Sequence, residues 1–325
     1  MRDCLVIDDR LSRLTWQVTL AMAILAAISF NIVGLTARVD LSANTVALVS
    51  GYVFLTIHCR FVRQNAEETR ALIGFGQLVT VIIMGIMLSY AASAVPLPYR
   101  DAELYAIDRW LGFERETYLA FLKRNDGLRH VLTFAYGTTL LQNILVLLVA
   151  IAARRIELLQ SYIIAFSIAL IATVAIAIFI PAANAMIYVD GAPRDLLVLP
   201  DGGSSYFPTL EGLRDGTLRV VDFQHLAGLI SFPSFHTASG LLFVWALWPM
   251  RPLRVVLVPL NLLLIASTPL CGSHYVTDII GGAAVAFGAI VTATWLVRIS
   301  LANERLSPAA VSQVKFARQG DLPSR

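Results

Sequence analysis

The sequence predicts an all-α protein, a bundle of helices that crosses a membrane several times. Three observations predict it. Of its 325 residues 57% are hydrophobic and only 14% charged, where soluble globular chains carry about 25% charged residues. Mean hydropathy is +0.71. Apolar runs recur along the chain at about 15–36, 44–61, 71–95, 131–153, 158–180, 235–250, 255–270 and 276–297, each near the length a membrane helix needs. A net charge of +3 is ordinary for spans flanked by basic residues and does not point to nucleic acid. Cys4, Cys59 and Cys271 are far apart and form no disulfide or thiol motif.

The elements follow in order. Residues 1–14 are polar and read as a cytoplasmic tail rather than a cleaved signal peptide. Residues 15–298 read as one transmembrane catalytic domain of about eight spans, and 299–325 as a second cytoplasmic tail. The second run is the most diluted, by Asn44, Thr45, His58 and Cys59. Two long connections, 96–130 and 181–234, separate the runs. In the first, Asp101, Leu104, Ile107, Asp108 and Leu111 fall at helical spacing between Pro98 and Gly112. The second opens at Pro181 and is rich in turn signals, DGAPRD and PDGGSS among them. The short turns are basic: Arg60, Arg63 and Arg70, then Arg154 and Arg155, then Arg251 and Arg254. Eight spans put all of these on one face, which the positive-inside rule makes cytoplasmic. Both termini then face the cytoplasm, and the long connections face away from it.

The chemistry concentrates between Ser231 and Gly282. SFPSFHTASG opens one apolar run, the basic turn MRPLR divides it from the next, and CGSHYVTDIIGG closes the pair. One span descends and the other returns, so His236 and His274 are expected at the same depth and on the same side. Ser231 is expected to cap the first helix and Pro233 to sit in its first turn. A second helix beginning near Gly272 would place His274 and Asp278, four apart, on one face. A histidine oriented by a carboxylate and facing another histidine is equipped for nucleophilic attack with acid catalysis. The same three side chains would also suit a zinc ion, which makes a zinc-dependent membrane hydrolase one alternative. A transporter of a small solute or lipid is another, although no repeated halves are visible. Gly272, Gly281 and Gly282 would let the last span approach the sixth closely.

These residues resemble the type 2 phosphatidic acid phosphatase superfamily, whose second and third motifs are P-S-G-H and S-R-x5-H-x3-D. Pro233, Ser234, Phe235 and His236 follow the second, with Phe in place of Gly. Ser267, His274 and Asp278 follow the third, with Thr268 where the family has Arg. The first motif, K-x6-R-P, is absent, and the only lysines are Lys123 and Lys315. SFPSFH and the pair His274-Tyr275 are more similar to the branch of inositol phosphorylceramide synthases and related inositolphosphotransferases. The resemblance implies a six-helix core with about two extra N-terminal spans, acting on a membrane lipid without metal or other cofactor. It implies that His274 attacks phosphorus to give a phosphohistidine, that Asp278 orients it and that His236 protonates the leaving group. Water, an alcohol or a lipid acceptor would then resolve the intermediate. Ser234 and Thr237 would bond phosphate from the helix start, unless they merely cap it, and Tyr275 and His225 would touch the substrate. A cation must balance the phosphorane's charge. Arg219, just upstream of SFPSFH, is the expected one among Arg109, Arg129, Arg194, Arg214 and Arg219.

Overall fold

The computed structural model describes residues 2–39, 41–189, 206–224, 226 and 228–305. Among them the chain is almost wholly helical, as the apolar runs require. Helix α1 spans Arg2–Val33, a short strand β1 spans Thr36–Arg38, and α2 spans Ala43–Ile57 before a π-helical turn over His58–Val62. Helix α3 spans Ala66–Ser93, and the first long connection holds α4 (Asp101–Trp110) and α5 (Arg115–Arg124). Next come α6 (Asp126–Gly137), α7 (Thr139–Ala152) and α8 (Ile156–Phe179). The second connection holds α9 (Ala185–Tyr188), α10 (Phe207–Asp215) and a strand β2 (Val220–Asp222). Helices α11 (Phe235–Ala246), α12 (Arg251–Cys271) and α13 (Val276–Arg305) end the described chain. His225, Arg194 and the turns DGAPRD and PDGGSS lie outside the described residues.

Six helices are long and apolar enough to cross a membrane, and α6 with α7 adds a seventh span bent by 52°. The expected span at 235–250 is shorter than the sequence predicts. Helix α11 has 12 residues, about 18 Å at about 1.5 Å per residue. It stops at Ala246 because Pro249 has no amide proton with which to extend the ladder. At the other extreme, α1 begins at Arg2, well inside the segment expected as a polar tail. No proline or glycine interrupts 2–33, and Gly34, at φ +68°, ends the helix. The two short strands pair in parallel, a small exception to an all-helical expectation.

Helix α8 is the axis of the bundle, with α1, α3, α11 and α13 packed around it. Helix α11 is wedged between α12 and α13, and α6 lies along α12. Helix α2 contributes no buried residue and lies on the outside of the bundle. Inside the bundle some polar side chains pair with one another across helices, since hydrocarbon offers no alternative partner. Asn261 donates to the Gln142 side chain at 2.8 Å, and the Tyr162 hydroxyl donates to Asn143 at 2.8 Å. The basic turns gather at one end. Arg154 lies 3.7 Å from Glu67, and Arg155, Trp245 and Pro249 share a recess there.

Gly282 sets the spacing between α11 and α13. A Cβ at this position would stand 2.2 Å from the main-chain oxygen of Ser234, at the start of α11. A backbone oxygen cannot swing aside as a side chain can. Gly282→Ala is therefore expected to push the helices apart and cost about 1–3 kcal/mol, read as a lower melting temperature in detergent. Gly288→Ala on the same helix meets nothing within 4 Å and should be neutral or slightly stabilising. Equal melting temperatures for the two variants would refute this account of the contact.

Candidate active site

His236 occupies the first turn of α11, where the sequence places it. The helix is capped by Ser234, whose Oγ accepts from the Thr237 amide at 3.4 Å, rather than by Ser231. Pro233 precedes the helix instead of entering its first turn. The Ser234 amide donates to the main-chain oxygen of Asp278 at 3.0 Å, which ties α11 to α13. The His236 ring stacks on Tyr136 with centroids 4.2 Å apart, and its Nδ1 lies 3.2 Å from the tyrosine oxygen.

His274 is reached differently from the expected helix face. Helix α12 runs on to Cys271, and the chain then turns through Ser273, a non-glycine residue at φ +53°. The His274 amide returns to the Thr268 carbonyl at 3.2 Å. Helix α13 begins only at Val276, so His274 precedes it and Asp278 lies in its first turn. The pair nonetheless meets, His274 Nδ1 standing 2.9 Å from Asp278 Oδ2. The same oxygen accepts from Ser231 Oγ at 2.9 Å and from the Tyr275 amide at 3.1 Å. A carboxylate only accepts. The neutral tautomer that fits this bond has its proton on Nδ1 and its lone pair on Nε2. Gly272 gives the ring its room, since a Cβ there would meet His274 Cδ2 at 2.5 Å. The rings of His274 and His236 face each other with centroids 6.4 Å apart at 60°.

Helix α4 clamps this turn from outside with two buried carboxylates. Asp108 accepts from the Val276 and Thr277 amides, each at 2.8 Å, and from Thr277 Oγ1 at 2.7 Å. It thereby caps α13 from another helix. Asp101 accepts from the Ala183 and Asn184 amides at 2.8 and 3.1 Å and from the Tyr275 hydroxyl at 2.9 Å. Burial raises the Asp101 pKa, and these three donors, which favour the ionised form, oppose the rise. Arg115, at the start of α5, is only 4% exposed, and its guanidinium donates to the carbonyl of Pro269. It lines a small void together with His274, Tyr275 and Asp108.

The structure thus gathers His236, His274, Asp278 and Tyr275. The Tyr275 hydroxyl is engaged by Asp101. Ser234 acts as a cap, and Thr237 packs beside Gly282. Arg219 lies elsewhere: its guanidinium donates to the Val33 carbonyl at 3.0 Å, at the end of α1. Sequence reasoning missed Tyr136, Arg115 and the bond from Ser231 to Asp278. It noted the spacing of Asp101 and Asp108 without a role for either. No group of three or more His, Cys, Asp or Glu side chains among the described residues is placed to hold a metal ion.

Helices long and apolar enough to cross a membrane thus bring two histidines and a carboxylate together at one end of the bundle. The family profile of the PAP2 superfamily matches residues 102–292, more than half of the chain, and the protein belongs to that superfamily. The match runs from α4 into α13 and distinguishes no branch within the superfamily. No curated protein and no solved structure matches the chain. Membership supports a phosphatase-type activity on lipids.

Asp108→Ala should remove three hydrogen bonds from the start of α13. The expected cost is about 2–4 kcal/mol, seen as a lower melting temperature in detergent, with Asp108→Asn recovering part of it. An unchanged melting temperature in Asp108→Ala would show that α13 does not depend on this cap.

Proposed function

We propose that the protein is an integral membrane enzyme that moves a phosphoryl group or phospho-headgroup from a lipid through a phosphohistidine on His274. The observation that carries this reading is the 2.9 Å bond from His274 Nδ1 to Asp278 with the His236 ring opposite at 6.4 Å. Nε2 of His274 attacks phosphorus as the ester P–O bond breaks, and protonated His236 gives its proton to the departing oxygen. Asp278 stabilises the positive charge that develops on the His274 ring. In the second step the oxygen of water or an alcohol attacks phosphorus, the P–N bond to His274 breaks, the attacking group's proton passes to His236, and His274 is restored. Water makes the enzyme a lipid phosphatase. A lipid or other alcohol makes it a phosphotransferase, toward which SFPSFH and His274-Tyr275 lean.

Arg115 is the cation we assign to the phosphorane. Thr268 leaves the adjoining helix end without the family's arginine, and Arg115 reaches that same helix end from α5. A fixed cation beside developing negative charge is worth about a hundred- to a thousandfold in rate. The basic turns lie at the far ends of the helices from the histidines, which supports a site outside the cytoplasm by the positive-inside rule.

His274→Ala is expected to abolish phosphate release from lipid phosphates in detergent and to remove the acid-labile phosphoenzyme that the wild type forms with labelled substrate. Arg115→Ala should lower kcat/KM about a hundredfold or more, with Arg115→Lys recovering part. Orthovanadate, which mimics the phosphorane, should inhibit, and EDTA should not. A phosphoenzyme that persists in His274→Ala, or activity lost to EDTA and restored by zinc, would overturn the mechanism.

A further inference from the structure

Between α3, α7, α8 and α11 lies a cavity of about 610 Å³, a size typical of enclosed ligand sites. Its wall is largely apolar, with Ile82 and Ile86 from α3, Leu140 from α7, and Leu170 and Val174 from α8, and His236 and His274 stand in the same wall. No Lys, Arg, Asp or Glu lines it among the described residues. Beyond the histidines a charged headgroup has no counterpart there, whereas an alkyl chain has one along most of its length.

Two hydroxyls in the wall are anomalous. Thr173 on α8 is 2% exposed and Ser239 on α11 is fully buried, and neither hydroxyl has a hydrogen-bond partner among the described residues. Several other hydroxyls in the spans bond back to the preceding turn, as Thr15 does to Leu11, Thr80 to Gly76 and Ser167 to Ile163, while Thr237, outside this wall, shares the lack of a partner. Ser239 is three residues along α11 from His236, about 4.5 Å deeper along the axis. A polar group carried just below a phosphate would meet it.

We infer that this cavity seats an aliphatic chain of the lipid whose phosphate lies between the histidines. Ser239 and Thr173 bond a hydroxyl, ester or amide near the head of that chain. The inference rests on the phosphoryl-transfer reading for the position of the head, while the seat of the chain can be tested without turnover. The rival arrangement leaves the chain in the bilayer against outward-facing side chains such as Leu48 and Val255, 76% and 78% exposed.

The probe is an n-alkyl phosphonate with a diazirine at the chain end, which the enzyme cannot cleave, bound to the full wild-type protein in detergent. Light should label α3, α7 and α8 around Ile82, Leu140 and Leu170. Label confined to lipid-facing positions overturns the inference. In competition, each methylene seated should strengthen binding about fourfold, from about 0.8 kcal/mol per methylene. Val174→Phe should shorten the chain at which that gain stops, whereas Leu48→Phe should leave it alone. The near-isosteric pair Ser239→Ala with Thr173→Val should lose about three- to tenfold of any preference for a hydroxyl- or amide-bearing chain over a plain one. An unchanged preference removes the hydroxyls' role. Label inside the cavity with no phosphate released or transferred from any lipid phosphate, with or without alcohol acceptors, would sink the enzymatic reading and keep the chain site. Phosphate release with label only on the lipid face would do the reverse.

Discussion

The carboxylate of Asp278 is fully buried, and a buried charge survives only where donors surround it. Its Oδ2 collects donors from the segment before α11, through Ser231, and from the turn before α13, through His274 and Tyr275. Its own main-chain oxygen takes the Ser234 amide. One residue therefore fixes the start of α11 to the start of α13, and with them both histidines. The other oxygen, Oδ1, has no partner among the described residues. All the neutralising contacts converge on the oxygen that faces the imidazole, where a developing imidazolium would most lower the energy.

Such a junction needs close approach and a stiff frame. Gly282 permits the approach, since any side chain there would strike the Ser234 carbonyl. The frame is harder to build, because the turn that carries His274 is irregular. Ser273 occupies a left-handed conformation that costs a side-chain-bearing residue about 1–2 kcal/mol. Contacts from outside the turn hold it there. Its carbonyl accepts the Ala185 amide at 3.0 Å, Asp101 holds Tyr275, and Asp108 holds Val276 and Thr277. The first long connection thus serves the turn directly, and α4 is as much a part of the site's support as the spans are.

The membrane frame was legible because its cause is local. Long apolar runs must become helices in lipid, where every amide needs an internal partner. Errors arose at the ends, where a single residue decides. Pro249 shortened α11, and the lack of any breaker before Gly34 lengthened α1. The His274–Asp278 pairing was also legible, though through a turn rather than along a helix face, because a spacing of four brings side chains together in either geometry. Tyr136 was not legible. It lies a hundred residues from His236, and only the bend between α6 and α7 together with the packing of α11 on α7 brings the rings into contact.

Arg115 was hidden for a related reason, and its placement follows from helix chemistry. The last carbonyls of α12 have no amides ahead of them to accept from, and the partial negative charge of a helix C-terminus gathers there. The Gly272 and His274 amides both return to Thr268, which leaves the Pro269 carbonyl to be satisfied from outside. A guanidinium does this with one of its several N–H groups and keeps its charge beside the His274 turn. In the family pattern an arginine at position 268 would carry that charge on α12 itself. Here a buried guanidinium reaches that end from α5, in a connection whose sequence reads as partly helical but does not reveal what Arg115 bonds. On the phosphoryl-transfer reading, the site calls for a cation at that helix end. Which segment supplies it is left to the packing, and sequence motifs record only one of the solutions.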